Sequence, residues 1–173
     1  AIETAQNLGH TYIGSEQFPS RLSTPDPIEF HSILRRMDDA GVEVVVMEVT
    51  AHALAQCRVA GLAYDVAAFT NFSQDHLDYF GTMENYFETK KSFFMHGQVL
   101  NAALNADDET SDKIIKDIKV PYLTFGISSD ADVFARDIEI SEDGVSFSIL
   151  LRGLEEMPVH MHLTGMFNVY NAL

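Results

Sequence analysis

The run VEVVVMEV at residues 42–49 is the stretch that most constrains what this chain can fold into. It is nearly continuous in apolar, β-branched residues, and Glu48 stands near its C-terminal end. A strand with one wet face would alternate, so the run reads as a strand buried on both faces of a parallel sheet. A helix is expected just before it. Asp26 is placed to cap, Pro27 to take the first helical position, Glu29 to reach back as in a capping box, and Gly41 to supply the stop. Ile28, Ile33, Leu34 and Met37 recur at helical spacing between those signals.

The same alternation continues downstream. The sequence predicts a short helix over residues 51–57, a second buried strand over 66–70, a polar loop over 71–81 ending at Gly81, and an amphipathic helix over 82–96. A strand over 99–104, a helix over 107–118 and a strand over 120–125 follow. Together these imply an α/β fold with a mostly parallel sheet flanked by helices. The pattern then changes to short strands over 132–140, 145–151 and 159–163, joined by Asp143-Gly144 and by residues 153–158, which read as a small antiparallel β meander. A last helix is expected to begin at Asn168. Near the start, Tyr12, Ile13 and Gly14 could close a short strand and residues 20–25 look like a loop, with no opening βα unit.

A chain of 173 residues suffices for one domain with a sizeable core. The formal net charge of −15 argues against a general affinity for nucleic acid or anionic membrane, since both would be repelled at long range. A small anionic substrate would need local arginines, backbone N–H groups or metal ions to offset that field. Cys57 is the one cysteine, so no disulfide framework or cysteine zinc site is expected, and a reducing, cytoplasmic setting fits. No apolar run approaches the roughly 18 residues of a membrane span.

Three residues between 48 and 91 could carry chemistry. Glu48 closes an apolar strand at the carboxyl end, where ligands bind in open α/β sheets, and burying it there calls for a cation, whereas the plain alternative is a salt bridge or a solvated strand end. His76 lies between Asp75 and Asp78, either as a metal ligand or acid/base group or as a partly buried histidine beside a capping aspartate. Lys90 shares a helix side with Tyr86, Phe87 and Phe94, so it either snorkels outward or presents a nucleophilic amine at an apolar face.

The blocks STPDP, EVTAHALAQCRV, FTNFSQDHLDYFGTMENYFETKKSFF, LNADDE and GMFNVYNAL resemble, in order and spacing, the central domain of the Mur ligases. STPDP points to the branch that acts on UDP-N-acetylmuramoyl-dipeptide, the MurE ligases. The resemblance covers about residues 20–173 and implies an ATP- and Mg2+-dependent ligase of peptidoglycan synthesis. In it a carboxylate of UDP-MurNAc-dipeptide is activated as an acyl phosphate and then attacked by the amine of an amino acid, a diamino acid or lysine.

Carried over by position, Glu48 would bind the magnesium between the ATP phosphates. His76 and a carbamylated Lys90 would bind a second magnesium. Asn105 and Asn168 would face the adenosine, although as bare sequence they read as a turn residue and a helix cap. Ser23, Thr24, Thr50, Gln56 and Arg58 would contact the UDP-linked dipeptide; the plain alternative for Arg58 is a partner for one of the 26 acids. His52 takes only a structural or orienting role. Thr50 and Ala51 stand where the family usually has two serines, so one hydroxyl is kept. Gly9-His10-Thr11 does not replace the family's phosphate-binding loop, which is expected to precede residue 1, and the C-terminal ligase domain is expected to be absent. The chain therefore reads as a central-domain portion, inactive alone. A folylpolyglutamate-synthase-like ligase and a non-catalytic binding module are the competing expectations.

Overall fold

The computed structural model describes residues 5, 6, 10–13, 16–20, 22–128, 130–154 and 156–173, with residues 5, 6 and 10 described by backbone alone. Gly9, Gly14, Arg21 and Glu155, on which parts of the expected strand, loops and motif fall, lie outside the described residues. The chain divides into two compact units, one of residues 1–62 and 76–93, the other of residues 63–75 and 94–173.

The first unit holds β1 (Ala5–Gln6), β2 (His10–Ile13), β3 (Glu16–Pro19), α1 (Pro27–Asp39), β4 (Val46–Met47), α2 (Ala51–Ala55), α3 (Leu77–Phe80) and most of α4 (Met83–Met95). Strands β2 and β3 form an antiparallel hairpin, and β1 pairs in parallel with β4. Helix α1 starts where expected. The Asp26 carboxylate accepts from the Ile28 and Glu29 N–H groups, both at 3.1 Å, so the aspartate caps the helix and Pro27 costs no hydrogen bond. Phe30 and Met37 bury its inner face, whereas Ile28 is 85% exposed. Further along, Ala51, Ala53, Val59, Tyr86 and Phe87 are buried.

Two expectations fail in this unit. The 42–49 run is not a doubly buried strand: its ladder is two residues long, and Val44, Val45 and Val46 are 47%, 40% and 44% exposed. Continuous apolarity reports a tendency to be covered, but coverage needs lateral neighbours, and β4 has β1 alone among the described strands. The 71–81 segment is not all loop, because Leu77–Phe80 forms one helical turn closed by Gly81 at φ 74. A turn this short lacks the repeating period that would announce it.

The second unit is built on one six-stranded sheet. Strands β5 (Ala67–Phe69), β6 (Ala102–Asn105), β7 (Tyr122–Gly126) and β8 (Val133–Ser141) run parallel, and β9 (Gly144–Leu151) and β10 (Met157–Met161) add antiparallel at the end. This is the expected α/β architecture, parallel first and then a meander. Among the described strands β5 is the sheet edge, and it alternates buried Ala67, exposed Ala68, buried Phe69, so the second expected buried strand is also covered on one face only. Leu104 and Ile114 of α5 (Ser111–Ile115) are fully buried. Helix α6 (Met166–Ala172) lays Val169 against Ala135, Val145 and Phe147 of the meander. Gly144 ends the hairpin turn at φ 143, and a Cβ there would meet the Met161 carbonyl oxygen at 2.0 Å.

Asp132 staples the parallel β7–β8 junction. Its Oδ2 accepts from the Thr124 N–H and hydroxyl, both at 2.9 Å, and its own N–H donates to Thr124 Oγ1 at 3.0 Å. The Thr124 N–H first, then its hydroxyl, hold this carboxyl below the usual carboxylate range, with Arg152 adding to the effect. A depressed folded value means that the stability it contributes is present above the ordinary carboxylate range and is lost as pH falls through the lowered value. Denaturant unfolding should therefore show Asp132→Asn less stable than the parent at neutral pH, with the gap shrinking as the pH is taken down into the acid range.

Candidate functional site

Thr24, only 1% exposed, is the centre of the first unit's polar cluster. Its hydroxyl donates to the Glu48 carbonyl at 2.9 Å and accepts from the Thr50 N–H at 3.3 Å. The loop before α1 is thereby fixed to the end of the β4 segment and to the start of α2. Thr50 in turn caps α2, its Oγ1 accepting from the Ala53 N–H at 3.2 Å. Ser23 is half-buried beside Thr24.

Arg58 completes this cluster from beyond α2. Its Nη1 donates to the Thr24 carbonyl at 2.9 Å, and its Nε donates at 2.9 Å to Oε1 of Gln56, which also accepts from Nη2. Both acceptors are neutral. Among the described residues no carboxylate pairs with this guanidinium, in a chain carrying 26 acids. The plain expectation of an internal ion pair is therefore not met, and the oriented cation keeps its charge for an anionic group.

The side chain of Glu48 is exposed, and no lysine or arginine pairs with it among the described residues. The reading of a buried carboxylate with an internal cation fails and that of a solvated strand end holds, because the strand it closes is itself exposed. What remains is a carboxylate open to a ligand cation. His76 is likewise exposed rather than partly buried, and adopts the left-handed conformation, φ 53 and ψ 28. It, and not Asp75, is the residue preceding α3, and it gives no side-chain cap. Its ring stands edge-on to His52, centroids 4.6 Å apart, and to Tyr86 at 6.0 Å. Tyr86 also neighbours Lys90, whose Nζ lies 5.2 Å from the ring centroid. Lys90 is half-buried beside the buried Tyr86 and Phe87, as its helical spacing predicts.

The two asparagines lie in the second unit. Asn105, 7% exposed, donates from Nδ2 to the Thr70 carbonyl at 2.6 Å and accepts at Oδ1 from the Asp107 N–H at 2.9 Å. Asp107 accepts at Oδ2 from the Ile127 N–H at 2.6 Å and from the Tyr170 hydroxyl at 3.0 Å. Burial first, and then the Asp107 carboxylate, push the Tyr170 phenol up to about 12, so it stays protonated and donates. Asn168, 9% exposed, donates to the Thr164 carbonyl at 2.8 Å. Asp107 thus ties the ends of β6 and β7 to α6 and brings the surroundings of both asparagines together. Asp108 adds β5, accepting from the Phe72 N–H at 2.6 Å. Sequence reasoning passed over both aspartates; the turn-forming habit of the pair after Asn105 was the available signal. The asparagine amides are partly committed to the fold, each retaining one N–H and acceptor capacity.

Among the described residues no three His, Cys, Asp or Glu side chains gather as a metal cluster. Magnesium is commonly held by one or two carboxylates with substrate phosphates rather than by an all-protein cage, so the exposed Glu48 fits that cation. His76 suits it less well unless an oxygen donor joins it.

Residues 2–173 match the family described as the Mur ligase middle domain. The chain belongs to that family. It is 43% identical over 176 residues to the UDP-N-acetylmuramoyl-L-alanyl-D-glutamate–2,6-diaminopimelate ligase of Bacillus velezensis, covering 96% of this chain and 36% of that protein. The ligase of the same name from Clostridium tetani is 35% identical over 162 residues, covering 94% of this chain and 33% of that one. A solved structure of a UDP-N-acetylmuramoyl-L-alanyl-D-glutamate–2,6-diaminopimelate ligase superposes with a TM-score of 0.86 at 27% identity, over 97% of this chain and 35% of that one. A structure of the MurF ligase from Thermotoga maritima in complex with ADP shares the fold, with a TM-score of 0.55 at 22% identity over 75% of this chain and 31% of that one. The chain spans about a third of the length of the relatives it matches.

Thr24→Val, close to isosteric, removes both bonds of the buried hydroxyl and leaves the Glu48 carbonyl and the Thr50 N–H without that partner. Urea unfolding should show a loss of about 1–3 kcal/mol. A loss near zero would mean that the Thr24 bridge holds nothing together.

Proposed function

We propose that this chain is the central portion of an ATP-dependent, MurE-type ligase that joins a diamino acid to UDP-N-acetylmuramoyl-L-alanyl-D-glutamate in the cytoplasm. The observation that carries the reading is Arg58, a guanidinium oriented by Thr24 and Gln56 with no carboxylate partner among the described residues. It belongs to the same unit as Ser23 and Thr50, and a substrate bearing carboxylates and a diphosphate is the ligand such a cation suits. Diaminopimelate is the first candidate for the added amino acid, because the relatives named above are diaminopimelate ligases. No described helix is long and apolar enough to cross a membrane.

In this reading Ser23, Thr24, Thr50, Gln56 and Arg58 hold the UDP-linked dipeptide. The free carboxylate of its glutamate attacks the γ-phosphorus of ATP, ADP leaves, and the amine of the incoming amino acid displaces phosphate from the acyl phosphate. Bound magnesium supplies charge neutralisation for the phosphate oxygens. Glu48 would hold one such ion, and His76 would hold a second together with Lys90, after the lysine amine has added carbon dioxide and released a proton to become a carbamate. That oxygen donor removes the objection to His76 as a magnesium ligand. Asn105 and Asn168 would face the adenosine with the bonding capacity the fold leaves them.

The test uses the full-length protein with ATP, magnesium, the UDP-linked dipeptide and diaminopimelate. One phosphate released per amide formed is the expected result, and no release above background sinks the assignment. Lys90→Ala should abolish activity, because it removes a ligand of the metal ion. Bicarbonate should leave that variant unrescued and a short carboxylic acid should partly restore it. An unchanged rate removes Lys90 from the mechanism.

A further inference from the structure

We infer that His52 is a positioning residue: its ring fixes the orientation of the His76 imidazole and links it to the substrate-holding end of α2. The inference rests on the ligase reading for what His76 does, but the geometry stands apart from it. His52 is half-buried, while the His76 it touches is exposed. Three rings surround His52: His76 edge-on at 4.6 Å, Tyr79 tilted at 4.5 Å and Phe80 tilted at 5.3 Å between centroids. Edge-to-face and tilted contacts at these separations are the favourable ones for ring pairs.

The backbone of His76 is fixed as well. A histidine at φ 53 is uncommon and persists only where its surroundings hold it. Here its carbonyl accepts from the Tyr79 and Phe80 N–H groups at 3.1 and 3.0 Å, which anchors the first turn of α3. The αL conformation sets where the side chain leaves the chain, and His52 and Tyr86 then bracket the ring. An exposed side chain buttressed in this way is held in place at an entropic cost that solvation alone does not require.

His52 is carried by α2, whose first residue follows the cap Thr50, and Thr50 is tied through Thr24 to the loop before α1. Displacement of α2 by the substrate edge would therefore move the ring against which His76 rests. This gives His52 a role distinct from filling space, since the same bulk without a flat ring would not set the imidazole plane.

The experiment compares full-length parent, His52→Phe, His52→Leu and His52→Ala. The readouts are the His76 ring resonances in NMR spectra and the affinity for Mn2+, as a magnesium substitute, in the presence of a non-hydrolysable ATP analogue. His52→Phe should keep both, because it preserves the ring. His52→Leu and His52→Ala should shift and broaden the His76 resonances and weaken the lower-affinity Mn2+ site roughly tenfold, the scale of lost outer-shell support. Retention of parental resonances in the Leu and Ala variants overturns the inference. The Leu variant, which keeps the volume filled, serves if Ala does not fold. Should His76→Ala bind Mn2+ as the parent does, the metal reading of His76 fails, while the His76 resonances of the His52 variants still decide the positioning claim.

Discussion

One buried hydroxyl sets the geometry of the first unit. Thr24 Oγ1 is donor to the Glu48 carbonyl and acceptor from the Thr50 N–H, and it joins the loop before α1 to a stretch of backbone far away in sequence. A hydroxyl can do this because it carries one donor and two acceptor sites in a volume no larger than a valine's. The consequence reaches Arg58, whose Nη1 takes the carbonyl of the same residue. Of the polar residues that the ligase reading assigns to the UDP-linked dipeptide, Ser23, Thr50 and Arg58 adjoin or bond Thr24, and Gln56 reaches it through Arg58. The bridge also fixes the backbone from which the Glu48 carboxylate projects.

The second unit solves a different problem by similar means. The carboxyl ends of β5, β6 and β7 must be held together where loops converge, and the Asn105, Asp107 and Asp108 side chains supply the bonds. Gly126 is part of this arrangement, since a Cβ there would come within 2.5 Å of Asp107 Oδ2. Tyr170 extends it to α6 as a protonated donor. The asparagines that the ligase reading turns toward the nucleotide therefore serve the fold in any case, and a substitution at Asn105 would disturb it.

Local chemistry was legible in the sequence wherever it was self-contained. Asp26 and Pro27 announced α1, the turn at Asp143-Gly144 announced the β8–β9 hairpin, and the spacing of Tyr86, Phe87 and Lys90 placed the lysine beside an apolar face. The α/β alternation followed by a meander was readable for the same reason. The exposure of Val44–Val46 was not, because burial depends on neighbours that a run of apolar residues does not specify. That miss carried the second one, the expected internal partner of Glu48. The His52 and His76 contact was invisible too, since the two residues lie 24 positions apart and His76 adopts a left-handed conformation that no local motif announces. Glu48, His76 and Lys90 stood out as bare residues, whereas the roles proposed for them and for the other candidate residues came through the family blocks, and His76 alone would not have suggested magnesium.

The ligase reading makes Lys90, which shares the Tyr86 ring with His76, an anionic oxygen donor to a metal ion. Carbon-13 NMR of the full-length protein equilibrated with carbon-13-labelled bicarbonate addresses it directly, without reference to turnover. A carbamate carbonyl resonance that is present in the parent and absent from Lys90→Ala is the predicted result. Parent spectra with no carbamate resonance at neutral to mildly alkaline pH, or one that survives in Lys90→Ala, would contradict it.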